Sequence, residues 1–86
     1  MATTRKIEVF SAGCAVCEET IEMVVNAAGS SCEIIVQDMK DTRIAERAKS
    51  LGIHSVPAVV IDGRLVGSGR GVDEQALRAA GLGQPL

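Results

Sequence analysis

The apolar residues change period along the chain, and the changes mark the elements. Residues 6 to 11, KIEVFS, alternate: Ile7 and Val9 fall on one face and Phe10 on the other, as in a strand. From residue 15 to residue 28 the spacing becomes helical, with Cys17, Ile21, Val24 and Ala28 forming one apolar stripe that Val25 widens. Glu18, Glu19 and Glu22 lie in the early turns, where the helix dipole favours negative charge. Gly29-Ser30-Ser31 ends the helix. Residues 32 to 37, CEIIVQ, form a second β-branched run, and Asp38 to Thr42 supply turn and N-cap chemistry.

Residues 43 to 51 repeat the helical stripe with Ile44, Ala48 and Leu51. Gly52 suits a left-handed C-cap, with Ile53 folding back on the last turn. Ala58 to Ile61 is a continuous apolar strand. Asp62-Gly63 is a type I′ hairpin signal, and Arg64 to Gly67 is the returning strand. Gly67, Gly69 and Gly71 make a loop. Asp73 then opens a last helix, with Ala76, Leu77 and Ala80 inward and Gly81 closing it.

The predicted order is β-α-β-α-β-β-α. Strands joined through a helix are parallel with a right-handed crossover, and the last two form an antiparallel hairpin. The expected architecture is an α/β mixed four-stranded sheet with helices on both faces. Residues 1–86 read as one domain, with a core over about 6–81 and a tail over 82–86, and no internal repeat is visible.

Composition narrows this picture. Apolar residues make up 47% of the 86, yet there is one Phe and no Tyr or Trp, so the core is expected to be aliphatic. Nine basic against eleven acidic residues leave a net charge of −2, which gives no basic footprint for nucleic acid, and no aromatic platform exists for stacking bases. MATTRK runs straight into a strand without the apolar segment of a secretory signal, and no run approaches a membrane span. If the chain is complete, the expected location is the cytoplasm. In that reducing compartment a Cys-X-X-Cys is more often catalytic or metal-binding than a structural staple.

Cys14 and Cys17 carry the candidate chemistry. Cys14 lies where the first strand gives way to the first helix, and Cys17 one turn in. Free N–H groups at a helix start, with the dipole, stabilise a thiolate and can bring a cysteine pKa from about 8.5 to roughly 3.5–7.5. Such a thiolate attacks a disulfide, and a second cysteine a turn away displaces the product. The three nearby glutamates oppose this mildly. A pair of small buried residues fits less well, because Cys14 sits at a loop. The same two thiolates offer a Cu(I) site or half of a zinc site, but only Cys32 and His54 remain to complete a tetrahedron, in no recognisable spacing. The heavy-metal-associated domain also places Cys-X-X-Cys after its first strand; there a hairpin follows the first helix at once, whereas here the second strand leads into the helical ERAKSLG.

Cys-X-X-Cys in this element order, followed by SVPAVVIDG, resembles the thioredoxin superfamily, and within it the small glutaredoxin-like thioredoxins that lack the N-terminal strand and helix of full thioredoxin. The resemblance covers residues 6 to about 81. It implies Cys14 as nucleophile, Cys17 as resolving thiol, and Pro57 as the cis-proline beside them. Val56 would then present its backbone to a substrate chain as an added strand, with Gly13 bordering the same surface. The sequence departs from the family pattern: it has no Trp before the pair, the spacer is Ala15-Val16, and Ser11-Ala12-Gly13 supplies no charge. Arg70 and Asp73 only echo glutaredoxin's glutathione contacts, and a solvated Arg70 with a helix-capping Asp73 is the preferred reading. Cys32 reads as a small buried hydrophobe and His54 as a surface residue.

The expectation is therefore a thiol–disulfide oxidoreductase acting on protein or small-molecule disulfides. A reductase or glutathione would be its electron donor, and it would need no organic cofactor. The alternative is a soft-metal carrier using Cys14 and Cys17.

Overall fold

The strand β1 (Arg5–Ser11) is buried from Ile7 to Ser11, as a strand covered on both faces must be. The computed structural model describes residues 5–29, 32–69 and 72–83. β1 is joined through α1 (Ala15–Ala28) to a parallel β2 (Cys32–Asp38), and α2 (Thr42–Ser50) leads on to β3 (Ala58–Ile61), which runs antiparallel to β1. β4 (Arg64–Ser68) returns antiparallel to β3, and α3 (Glu74–Ala79) follows. The sheet order is β2-β1-β3-β4, the mixed four-stranded α/β architecture expected.

The period of two sorts the core into two layers. Ile7, Val9, Val59 and Ile61 face α1 and α3, where Val24, Ala28, Leu77 and Leu82 meet them. Phe10, Ala58 and Val60 face the other way, onto Ala48 and Ile53. Helices therefore cover both faces, and the thiol-bearing helix lies on the first.

Local chemistry sets the ends. Asp41 Oδ1 accepts from the Arg43 N–H at 2.9 Å and Asp73 Oδ1 from the Gln75 N–H at 3.2 Å, so both act as N-caps. After α2 the Ile53 N–H donates to the Ala48 carbonyl and the Gly52 N–H to Lys49, a Schellman closure with Gly52 at φ 81°. α3 closes in the same way, with Leu82 N–H on the Leu77 carbonyl and Gly81 N–H on Arg78. At the hairpin Asp62 and Gly63 both have positive φ, as a type I′ turn requires.

Four side chains depart from the sequence reading. Val25, expected to widen the α1 stripe, is 48% exposed; Thr20 takes the buried position, its hydroxyl donating to the Val16 carbonyl at 2.9 Å. Ala76, expected inward, is exposed, and Leu77 alone anchors α3. Leu82, assigned to the tail, is 1% exposed in the core, because the α3 closure folds it back onto Leu77. Glu8 breaks the all-aliphatic expectation. It is 2% exposed on β1, and its carboxylate accepts from Arg47 Nη2 at 2.8 Å, Arg47 Nε at 3.1 Å and Gln37 Nε2 at 3.0 Å. Hydrogen bonds from Arg47 hold the Glu8 carboxyl below its ordinary range, against the desolvation that burial imposes.

Candidate functional site

The site forms where β1 ends. Ser11 pairs with Asp38 of β2, and Phe10 with Ala58 of β3, the residue that follows Pro57 in sequence. The Ser11 carbonyl accepts from the Met39 N–H at 2.9 Å, and its hydroxyl accepts from the Gly13 N–H at 3.1 Å. Gly13 turns the chain at φ 81°, a conformation that L side chains rarely adopt, although the space around it is open. That turn delivers Cys14 to the head of α1.

Cys14 is the N-cap of α1. Its backbone is extended, its carbonyl accepts from the Glu18 N–H at 3.0 Å, and its sulfur accepts from the Cys17 N–H at 3.2 Å. A sulfur therefore occupies the place where Ser or Asp oxygens commonly satisfy a first-turn donor. Cys14 and Cys17 are disulfide-bonded, with Cα atoms 5.0 Å apart, inside the usual span for such bonds. The two differ in access: Cys14 is exposed and Cys17 is completely buried. Of the two, Cys14 is the one placed to meet another molecule directly.

Pro57 is buried and follows a cis Val56–Pro57 peptide. Its carbonyl accepts from the Gly69 N–H at 2.7 Å. Val56 is half-buried, and no hydrogen bond joins its backbone to the other described residues. Ser55 lies against Gly69, where a Cβ would come within 2.8 Å of the serine hydroxyl. The structure thus brings Gly13, Cys14 and Cys17 together in the turn after β1 and sets Pro57 immediately before β3, the strand paired with β1.

Other candidates lie elsewhere. Cys32 pairs with Arg5 at the opposite end of β2 and packs, half-buried, against the core. Six residues of strand, about 20 Å, separate its level from that of Ser11. His54 is exposed. Asp73 caps α3, and Arg70 lies outside the described residues. Among the described residues no three His, Cys, Asp or Glu side chains are placed to hold a metal ion together.

One feature of the site escaped the sequence. A groove of about 220 Å³ opens beside Gly13, lined by Ser11, Ala12, Gly13, Val36, Asp38 and Lys40. Val36 is the most exposed of the large apolar side chains among the described residues, at 51%. Within CEIIVQ it reads as one more strand residue; only the position of β2 at the sheet edge leaves it uncovered.

Residues 5–80 match the family model described as a thioredoxin domain. This chain belongs to the thioredoxin family. A protein of Acidithiobacillus ferrooxidans, described as an uncharacterized 9.0 kDa protein in the mobE 3′ region, is 54% identical to it over 80 residues, which make up 91% of this chain and 94% of the relative. Among solved structures, a thioredoxin mutant from Halobacterium salinarum superposes with a TM-score of 0.66 at 24% identity, covering 91% of this chain and 72% of that one. Mitochondrial thioredoxin 3 of Saccharomyces cerevisiae gives 0.65 at 20% identity, with 91% and 76% covered. At such identities the structures speak for the fold. Thioredoxin-family membership and the bonded Cys14–Cys17 pair together support a thiol–disulfide oxidoreductase in kind. Among the described residues no helix is long and apolar enough to cross a membrane.

Proposed function

We propose that this thioredoxin-family domain reduces or exchanges disulfides through the Cys14–Cys17 couple, with Cys14 as nucleophile and Cys17 as resolving thiol. The observation that carries the reading is the difference between the sulfurs: Cys14 is exposed and accepts a helix-start N–H, while Cys17 is sealed beneath it.

In the reduced protein the Cys14 thiolate attacks one sulfur of a substrate disulfide. A mixed disulfide forms, the substrate S–S bond breaks, and the first substrate thiolate leaves. Cys17, losing its proton, attacks the Cys14 sulfur and expels the second substrate thiolate. Two electrons have passed to the substrate, and the protein returns to the bonded state. An external dithiol, a reductase or glutathione then restores the thiols. No organic cofactor takes part, and the cycle suits the reducing cytoplasm.

Docking is assigned to Gly13, Val56 and Pro57. The Val56 backbone makes no hydrogen bond to the other described residues, which supports pairing with an extended substrate segment. Asp73 is engaged in capping α3, which weighs against a glutathione-binding role for it.

Dithiothreitol-driven reduction of insulin and of a small aromatic disulfide tests the reading. The wild type is expected to accelerate both. Cys14→Ser is expected to abolish the acceleration, whereas full activity in Cys14→Ser would refute the assignment.

A further inference from the structure

Among the described residues the sheet ends on one side at β2 and on the other at β4, and the two edges differ. β4 is five residues long, opens on exposed Arg64 and meets a break in register between Val59 and Val60. It is short, charged and irregular, as protected edges are. β2 is seven residues long, keeps an unbroken register with β1, contains no proline and leaves Val36 51% exposed. We propose that this edge pairs antiparallel with the same edge of a second copy of the chain, joining two four-stranded sheets into one.

One hydrogen bond fixes which backbone groups face outward. The Met39 N–H donates to the Ser11 carbonyl at 2.9 Å, so Met39 turns its amide toward β1. Successive residues of a strand alternate in this respect, and the register with β1 is continuous. Gln37, Ile35 and Glu33 therefore also turn their backbone groups inward. Cys32, Ile34, Val36 and Asp38 turn theirs to the open side. No turn, loop or side-chain hydrogen bond among the described residues engages the backbone of Ile34 or Val36.

The order CEIIVQD selects the partner and the register. With a two-fold axis at Ile35, Ile34 and Val36 of one copy exchange backbone hydrogen bonds with Val36 and Ile34 of the other, and the whole strand overlaps. Moving the axis to Ile34 or Val36 shortens that overlap. The side chains match in the same register. Ile34 packs on the α1 side of the sheet, and Val36, two residues on, shares that side. Val36 then meets Ile34 of the second copy, twice by symmetry, and Ile35 meets Ile35 on the other face. Glu33 stands opposite Gln37, whose Nε2 gives one hydrogen to Glu8 and keeps a second for the Glu33 carboxylate. Asp38 stands opposite Cys32. In-register parallel pairing would instead oppose Glu33 to Glu33 and Asp38 to Asp38. Cys14 follows the end of β1, so the antiparallel arrangement puts the two thiol pairs at opposite ends of the joined sheet. The dimer neither needs nor blocks disulfide exchange.

Sedimentation equilibrium of the full chain, in a Cys32→Ser background with Cys14 and Cys17 bonded, tests the association. Concentrations up to about 500 µM reach dissociation constants approaching the millimolar range. Twice the monomer mass is expected at the top of that range. Val36→Lys sets a charge against Ile34 at two symmetric places and is expected to raise the dissociation constant at least about tenfold. Cross-linking reads the register, in a background with Cys14, Cys17 and Cys32 all changed to serine. Across the axis the two Ile35 Cα atoms would stand about 4.5 Å apart, within disulfide reach, so Ile35→Cys is expected to form an interchain disulfide with diamide. The two Glu33 positions would lie roughly 13 Å apart along the strands, so Glu33→Cys is expected to cross-link only when mixed with Gln37→Cys. A monomer at every concentration overturns the proposal and leaves the edge to an extended segment of another protein. A dimer that Val36→Lys leaves intact, or Glu33→Cys alone cross-linking as readily as Ile35→Cys, overturns it as well.

Discussion

Glu8 and Arg47 meet in a two-pronged pair that joins the central strand to α2, with the carboxylate buried and the guanidinium side chain 45% exposed. This inequality governs what mutation does. Removing Arg47 leaves a buried carboxylate with Gln37 as its remaining side-chain donor among the described residues, whereas removing Glu8 frees a guanidinium that water can still reach. Arg47→Met is therefore expected to cost about 2–3 kcal/mol of unfolding free energy and Glu8→Gln about 1 kcal/mol, read from urea midpoints at pH 7. Equal costs would contradict the account.

The same pair sets an acid limb. The Glu8 carboxyl is held below its ordinary value, chiefly by hydrogen bonds from Arg47. Such a group binds fewer protons when folded. Its stabilisation is complete above the unfolded carboxyl pKa of about 4.3 and is lost as the pH falls through the folded value. The penalty of Arg47→Met is thus expected to shrink on acidification from pH 7 to pH 3, followed by urea midpoints at each pH. A penalty independent of pH would show that the pair carries no linked proton.

Leu82 and Val25 exchange the roles the sequence suggests. Leu82→Ala removes a fully packed side chain and is expected to cost about 2–3 kcal/mol, while Val25→Ala, on the exposed face of α1, is expected to change stability by less than about 0.5 kcal/mol. Thermal melts of the two variants decide it, and a larger effect at Val25 would place the core wrongly.

These reversals show what a sequence holds. The strands and helices were legible because their apolar periods run over several residues, and the caps because Asp41, Asp73, Gly52 and Asp62-Gly63 act locally. Cys14 was legible for the same reason: its spacing from Cys17 and its place at a strand-to-helix junction are local facts. Glu8 was not, since its partner lies 39 residues away and nothing near it signals burial. Leu82 is a lone apolar residue without periodicity, although Gly81-Leu82 repeats the Gly52-Ile53 closure. Val36 depends on which strand ends at the sheet edge, a matter of topology.

Access should separate the thiols. In a reduced Cys32→Ser background, limiting iodoacetamide is expected to label exposed Cys14 at least about tenfold faster than buried Cys17, as thiolate reactivity requires access. Peptide mass spectrometry reads the ratio, and faster labelling of Cys17 would invert the assigned roles.

Trapping the intermediate tests the central claim most directly. Reduced Cys17→Ser protein, in the same Cys32→Ser background, is mixed with a disulfide substrate and analysed by intact and peptide mass spectrometry. The account predicts a persistent mixed disulfide on Cys14, and no adduct when Cys14→Ser is treated in the same way. An adduct that forms on Cys17 with Cys14 absent, or none in either variant, would contradict it.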